Sequence, residues 1–586
     1  MIELLRRFAR PYTRYFVAGP LTKLVEVGFD LCTPLVIALM IDRGVATRSV
    51  GTLLRYGALL ALMACAGFVF TLVCQKMAAR ASQGIGTSVR DALFSHVMAL
   101  SSAELDRFGT PSLITRITND VNQVQLAVAL AIRQLVRFPL IAVGSMIAAL
   151  LIDVKLGLIF LVSTPVISLI FWLVMAKSVP FFKRMQGQLD TIARIVREGL
   201  GGARVVRAFV REEHERGRLR KAAGEQAQTA IGVGMLSSVL NPATFLVMNL
   251  AVCAILWTGG VQVQVGDLTQ GEVMAFVNYM TQALLAIVYV ANLVVVFTRA
   301  SASAGRIVEV LDCVPSIVDA PVAAGALQSH APALRMDHVS FAYPGAAGNA
   351  LSDVSLELEE GGALGIIGGT GSGKSSLVNL IIRLYDVTSG GVEVFGRDVR
   401  TWPLRELRRA VGFVPQKAEL VSGTIKTNLS WRNPSASDAE LWRALEAAQA
   451  AEFVRALPQG LDAPVEAGGK NFSGGQRQRL TIARALVGSP RMLVLDDSAS
   501  ALDFKTDAEL RRAVRRLGIT TVTVSQRVAS VRDANVICVL RHGVAVGLGT
   551  HDELVESCEV YREICASQLK GEDFALTPQD EEVRHA

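Results

Sequence analysis

The chain has 586 residues, a net charge of +7, 51% hydrophobic residues and 19% charged residues, with a mean hydropathy of +0.40. That length calls for at least two domains, and the charge deficit against the roughly 25% typical of soluble proteins excludes a wholly soluble chain. The basic residues sit beside apolar runs, as at Lys177, Lys183, Arg184, Arg194, Arg197, Arg204 and Arg207, which marks a cytoplasmic membrane flank and not a nucleic-acid surface.

The first elements are membrane spans. A spanning helix needs about 20 mostly apolar residues. Residues 15–41, 56–75, 138–152 (extended upstream through 125–134), 156–176, 231–266 and 273–298 meet that need, so six helices are expected. The basic start (Arg6, Arg7, Arg10, Arg14) is not read as a cleaved leader, because the apolar run behind it is long and carries Lys23, Glu26 and Asp30. Those three charges share one helix face by their i,i+3 and i,i+4 spacing, and Arg133 and Arg137 open the third span. Intramembrane charge points to a cavity or a partner; mutual neutralisation of Lys23 and Glu26 at the membrane edge is the alternative. Asn249, Asn278 and Asn292 are read as interhelical glue or cavity lining. Residues 153–155 leave room only for a tight hairpin. Residues 78–124 and 177–228 are polar but helix-periodic, which predicts helices continuing into the cytoplasm as rods, with turning points at 107–119 and 204–213. The membrane domain is therefore placed at 1–312.

A Pro- and Ala-rich linker, 313–333, precedes a change of character. From 334 to 570, short strand-like runs alternate with helical stretches, as in an α/β domain, and 571–586 is a polar tail. Cys32, Cys65, Cys74, Cys253, Cys313, Cys538, Cys558 and Cys565 form no CxxC pair and read as small apolar residues rather than a metal or disulfide set.

Three motifs in the second half carry chemistry. Gly368, Gly369, Thr370, Gly371, Ser372, Gly373, Lys374 and Ser375, followed by Ser376, match GxxxxGK[ST] between an apolar strand (363–367) and an apolar helix (377–384). Glycine lets backbone N–H groups close on phosphate oxygens at a helix N-terminus; Lys374 would reach the β- and γ-phosphates, and Ser375 would ligate Mg²⁺. A buried strand, 492–495, ends in Asp496, expected to hold the Mg²⁺ shell. Between them, Phe472 precedes Ser473, Gly474, Gly475 and Gln476. In that position the stretch resembles the LSGGQ signature of the ABC ATPase family, with Phe in place of Leu.

The resemblance runs from the first span to about residue 570 and implies a six-span α-helical membrane domain fused to an α/β P-loop ATPase, the ABC exporter architecture, using ATP and Mg²⁺. It implies that Tyr343 stacks on adenine, that Gln416 senses Mg²⁺, and that Ser500, Ala501, Leu502 and Asp503 form the D-loop. Glu466 would lie in the loop facing the coupling segments. Two positions depart from the family pattern. Asp497 stands where the family has a general-base Glu, and Gln526 where it has a His. A carboxylate one methylene shorter sits back from its water, and Gln cannot carry positive charge. Loss of a positioned base costs roughly 10²–10⁴ in rate, about 3–5 kcal/mol of barrier. Because the family shares each site between two ATPase domains, the chain resembles the degenerate-site subunit of bacterial heterodimeric multidrug exporters. Its signature would complete the site of a second half-transporter that carries the Glu and the His. The expected setting is the cell membrane, with a cytoplasmic ATPase domain and a hydrophobic or amphipathic cargo. A homodimeric lipid or drug flippase and an ATP-gated channel or regulator are the alternatives; substrate-stimulated turnover separates an exporter from a channel.

Overall fold

The computed structural model describes residues 1–319, 331–498 and 501–568. Its contacts divide into two units, Met1–Met98 with Pro111–Cys313, and Ala99–Thr110 with the residues from Val314 onward. The polar tail read at 571–586, and 320–330 of the linker, lie outside the described residues.

In the first unit, apolar runs without water must satisfy their backbone internally, which selects helices. Among the described residues six helical stretches are long and apolar enough to span: Arg10–Val45, Val50–Ala99, Thr110–Ile152, Val154–Gly201, Glu212–Val265 and Gln270–Leu311. The 48 residues of Val154–Gly201 extend about 72 Å at ~1.5 Å per residue, more than twice the roughly 30 Å hydrocarbon core. The polar periodic stretches are thus continuations of the spans. The hairpin after the third span is even tighter than its sequence suggests. Asp153 alone leaves the helix, and its Oδ1 caps the next one by accepting from the Leu156 amide at 2.8 Å. Gly266, with φ 87°, ends the fifth helix in the left-handed region, and Thr269 with Glu272 forms a capping box for the sixth.

The turning points differ in one respect. The second is a short helix, Ala203–Ala208, which begins one residue before the expected segment 204–213 and runs into it. The first falls earlier than 107–119, at the helix Ser102–Phe108, and residues 110–119 already belong to the returning rod. The signal is the capping box Ser101–Glu104, which starts a new helix there; helical periodicity alone does not reveal it.

A buried carboxylate ties the third rod to the sixth. Asp120 accepts from Ser303 Oγ at 2.9 Å and from Arg306 Nε at 2.8 Å. Its side chain is 1% exposed while that of Arg306 is half exposed.

The second unit is built on a six-stranded sheet in the order Val544–Gly549, Val536–Arg541, Ala363–Gly368, Thr520–Val524, Met492–Asp496 and Val411–Val414. All neighbours are parallel except the first pair. Two inner strands read as continuous buried apolar runs (Leu364, Ile366, Ile367; Met492 to Leu495), as parallel strands covered on both faces do, while Thr520–Val524 between them alternates buried and half-buried residues. A four-stranded antiparallel sheet, Leu351–Leu358, Leu334–Phe341, Ser389–Val394 and Arg397–Asp398, packs into the same core.

Replacing Arg306 with Leu strands the buried Asp120 carboxylate. The expected loss is about 2 kcal/mol, below the ~3–5 of a fully buried pair because the guanidinium is half in solvent. Thermal unfolding of the solubilised chain, with Asp120→Asn/Arg306→Leu recovering part of the loss, checks it.

Candidate nucleotide-binding site

Four parallel strands finish at one edge of the large sheet, the usual place for a ligand in an open α/β sheet. Ala363–Gly368 runs into the phosphate-binding loop, Met492–Asp496 delivers Asp496 and Asp497, Thr520–Val524 leads to Gln526, and Val411–Val414 leads to Gln416. One cleft is lined by Tyr343, by the loop from Thr370 to Ser376, and by Gln416, Asp496, Asp497 and Gln526. Residues more than 180 positions apart in sequence meet there.

The loop is set by its glycines at two points. Gly373 has φ 100°, and a Cβ there would lie 2.6 Å from the Ala350 carbonyl; a Cβ on Gly368 would lie 2.2 Å from that of Leu540. Only glycine fits either position. The helix Lys374–Ile381 starts directly behind. Lys374 Nζ donates to the carbonyls of Gly368 (2.8 Å) and Gly369 (2.6 Å), so it is held over the loop. Burial pushes its ammonium below the usual lysine range, against the pull of Asp497 and Asp496.

Ser375 Oγ donates to Asp496 Oδ1 at 3.1 Å. A hydroxyl and a carboxylate this close are a donor set suited to Mg²⁺, which takes few protein ligands and keeps waters and phosphates for the rest. With the ion bound, Ser375, Asp496 and Gln416 would hold it, and it would neutralise charge on the phosphate oxygens. Asp497 has φ 45°, the left-handed region that Asp tolerates better than most residues. Gln416 Nε2 lies 3.5 Å from its Oδ2. Burial raises both carboxyls above the ordinary Asp range; at Asp497, Gln416, Lys374 and Arg527 oppose the rise.

Tyr343 meets two other rings edge-on, Phe341 at 4.8 Å and Tyr385 at 5.2 Å, and its hydroxyl is 2.9 Å from Ser376 Oγ. It thus borders the cleft and the loop together. Gln526 is exposed. The signature residues lie elsewhere. Ser473 caps the helix Gly474–Leu486 in a capping box with Gln476, Ser473 and Gly474 are exposed, and none of the four lines the cleft. Phe472, the departure from the signature, is buried against Phe453 at 6.5 Å in an edge contact, so the larger ring is accommodated by the core. Of the D-loop, Ser500 is outside the described residues. Leu502 is buried and accepts from Arg527 Nη1 at 3.2 Å through its carbonyl, and Asp503 caps the helix Phe504–Arg516.

Sequence reasoning misses three contributors. Gln568 donates to the Gln526 carbonyl at 2.7 Å and accepts from the Val528 amide at 2.9 Å, clamping that loop from 42 positions away. Nothing local signals it. Arg527 ties the Gln526 loop to the D-loop. Tyr385 donates to Asp106 Oδ2 at 2.5 Å in the short helix Ser102–Phe108. Its ring against Tyr343 places that turning segment one aromatic contact from the cleft.

Family profiles agree with this geometry. The profile described as ABC transporter transmembrane region matches residues 16–288, and the profile described as ABC transporter matches 351–500. An uncharacterized ABC transporter ATP-binding protein of Mycobacterium tuberculosis (strain ATCC 25618 / H37Rv) is 37% identical over 573 residues, covering 97% of this chain and 98% of its own length. The chain belongs to the ABC transporter family. An ATP-dependent lipid A-core flippase of Desulfotalea psychrophila (strain LSv54 / DSM 12343) is 31% identical over 495 residues, 81% of this chain and 83% of its own. A solved bacterial Atm1-family ABC exporter with ATP bound superposes with a TM-score of 0.77 over 97% of this chain and 100% of that one; at 23% identity the likeness is one of fold. This ABC transporter chain is therefore a multi-pass membrane protein with an exporter fold, an ATP-driven half-transporter whose ATPase domain is cytoplasmic.

Tyr385→Phe keeps the ring cluster and removes the bond to Asp106. It is expected to leave ATP affinity within about twofold and to cost about 1.5 kcal/mol of stability, the scale of a hydrogen bond to a charged group. Nucleotide titration and thermal unfolding of the same sample read the two effects apart.

Proposed function

We propose that this chain is the weakly hydrolysing half of a heterodimeric exporter of hydrophobic or amphipathic compounds, drug-like or lipidic, taken from the cytoplasm or the inner leaflet. One observation carries the reading: the phosphate and Mg²⁺ ligands stand intact on the same sheet edge as two altered hydrolytic positions, Asp497 and Gln526. Tyr343, Lys374, Ser375, Ser376 and Asp496 would bind MgATP. Asp497 holds the base position on a shorter arm, beside Gln416. Gln526 offers a neutral amide where a cation or proton carrier would serve hydrolysis better. The site would therefore bind ATP well and turn it over slowly.

The position of the signature, with Ser473 and Gly474 exposed, Gly475 and Gln476 half-buried and all four outside the chain's own cleft, supports its role in completing the site of the second half. The segments Ser102–Phe108 and Ala203–Ala208 are the turns of the rods, through which closure of the ATPase pair would move the membrane helices. The kinship with a lipid A-core flippase supports an amphiphile with a polar head as cargo.

The test is site-resolved hydrolysis in the native complex, read by trapping of a photoreactive ATP analogue on each chain. Asp497→Glu with Gln526→His should raise turnover at this chain's own site by roughly tenfold or more, leaving ATP affinity unchanged. A complex made of two copies of this chain with full wild-type turnover would overturn the division of labour.

A further inference from the structure

Four of the span charges form a network, while Arg133 turns instead to Gln75. Lys23 and Glu26 are buried, at 3% and 5% exposure, and bonded to each other. Arg137 of the third span lies 3.6 Å from Glu26 through Nη1 and 3.1 Å from Asp30 through Nη2. Two cations and two carboxylates leave the cluster neutral. Its inner pair is sealed, while Arg137 and Asp30 keep 32% and 34% of their side chains exposed. Those two line a cavity with Gln282, and the stacked rings of Phe138 and Tyr289, 4.3 Å apart and 6° from parallel, form part of its apolar wall. Two polar atoms there are buried without a hydrogen bond, a donor (Arg137 Nε) and an acceptor (Gln282 Oε1).

The depth follows from the chain. With the ATPase domain cytoplasmic after the sixth span, the Asp153 hairpin is on the outer side. Arg137 begins the 16-residue helix that ends there, about 24 Å below at ~1.5 Å per residue. In a hydrocarbon core of about 30 Å that places the cavity in the inner-leaflet half.

We infer that this cavity is a headgroup site for a zwitterionic amphiphile entering from the inner leaflet, its cationic end on Asp30 and its anionic end on Arg137. Charge balance selects the class. A head carrying one charge of each sign can exchange partners with the Arg137–Asp30 pair and leave nothing unpaired. A head of single sign leaves one charge uncompensated in a low-dielectric site, the costly case. The unused donor and acceptor give the same head two further bonds, and the Phe138–Tyr289 wall takes the apolar part. This rests on the amphiphile-export reading above and adds the class of cargo.

The experiment uses the full complex in vesicles of phosphatidylglycerol, with a diazirine-bearing phosphatidylethanolamine as probe and mass mapping of the adducts. Labelling is expected on residues 134–141 or 282–289. It should fall about tenfold in Asp30→Asn/Arg137→Gln, which removes one charge of each sign and keeps the cluster neutral, and about fivefold in Gln282→Leu, which alters no charge. Photolabelling by an ATP analogue, unchanged in both variants, shows that they fold. Equal lipid labelling in wild type and both variants would overturn the inference, as would stronger labelling of these segments by a diazirine phosphatidylglycerol. ATP-dependent translocation assayed in the same vesicles separates the two readings. Labelling without any translocation removes the export reading and keeps the site; translocation with variant-insensitive labelling removes the site and keeps export.

Discussion

The parallel pairing of Thr520–Val524 with Ala363–Gly368 on one side and Met492–Asp496 on the other, extended by Val411–Val414, brings the phosphate loop, the two carboxylates, Gln526 and Gln416 to one edge. Parallel strands must be joined by long crossovers, so these residues cannot be neighbours in sequence. Each sits just beyond a parallel strand whose pairing sets where the edge falls. The packing at the edge then sets the electrostatics. The same burial that makes Asp496 and Asp497 reluctant to ionise makes Lys374 reluctant to stay charged. A bound cation would favour the ionised carboxylates and a bound polyanion the charged Lys374.

Much of this was legible in the sequence because the signals are local and physical. Apolar length announced the spans, and the phosphate loop carries its strand, glycines and helix within a few dozen residues. The carboxylate at the end of a wholly apolar strand was equally plain. What escaped the reading is what folding alone creates. The first turn of the rods was misplaced toward 107–119 because periodicity continues through it; the decision lies with the Ser101–Glu104 box, four residues in a helical background. Gln568 and Tyr385 have no motif at all. One is a polar residue on a late helix and the other an aromatic beside a turn, and only the tertiary structure sets them against Gln526 and Asp106. Phe472 illustrates the converse. A change in a recognised motif looks functional until its ring is found in the core, where it packs away from the exposed Ser473 and Gly474.

The two units handle buried charge differently. In the membrane unit the buried carboxylates Asp120 and Glu26 are each met by a cation, Arg306 from the sixth helix and Lys23 from one turn away. In the ATPase unit Asp507 likewise meets Arg511, but at the nucleotide edge Asp496 and Asp497 are met by a hydroxyl and an amide, weaker partners that a divalent ion can displace. The first arrangement favours permanence and the second exchange.

The clamp of Gln568 on the Gln526 loop also bears on how the protein is made. Domains form from the N-terminus as the chain emerges, so the spans can enter the membrane while the ATPase sheet is still growing. The loop at 526 is also held by a side chain 42 positions further on, in the last described helix. A ribosome-bound chain that has reached the final strand of its nucleotide edge still lacks the strut that fixes that loop's main chain. Maturation of the edge is thereby deferred until residue 568 has been made, well after the membrane helices it will drive.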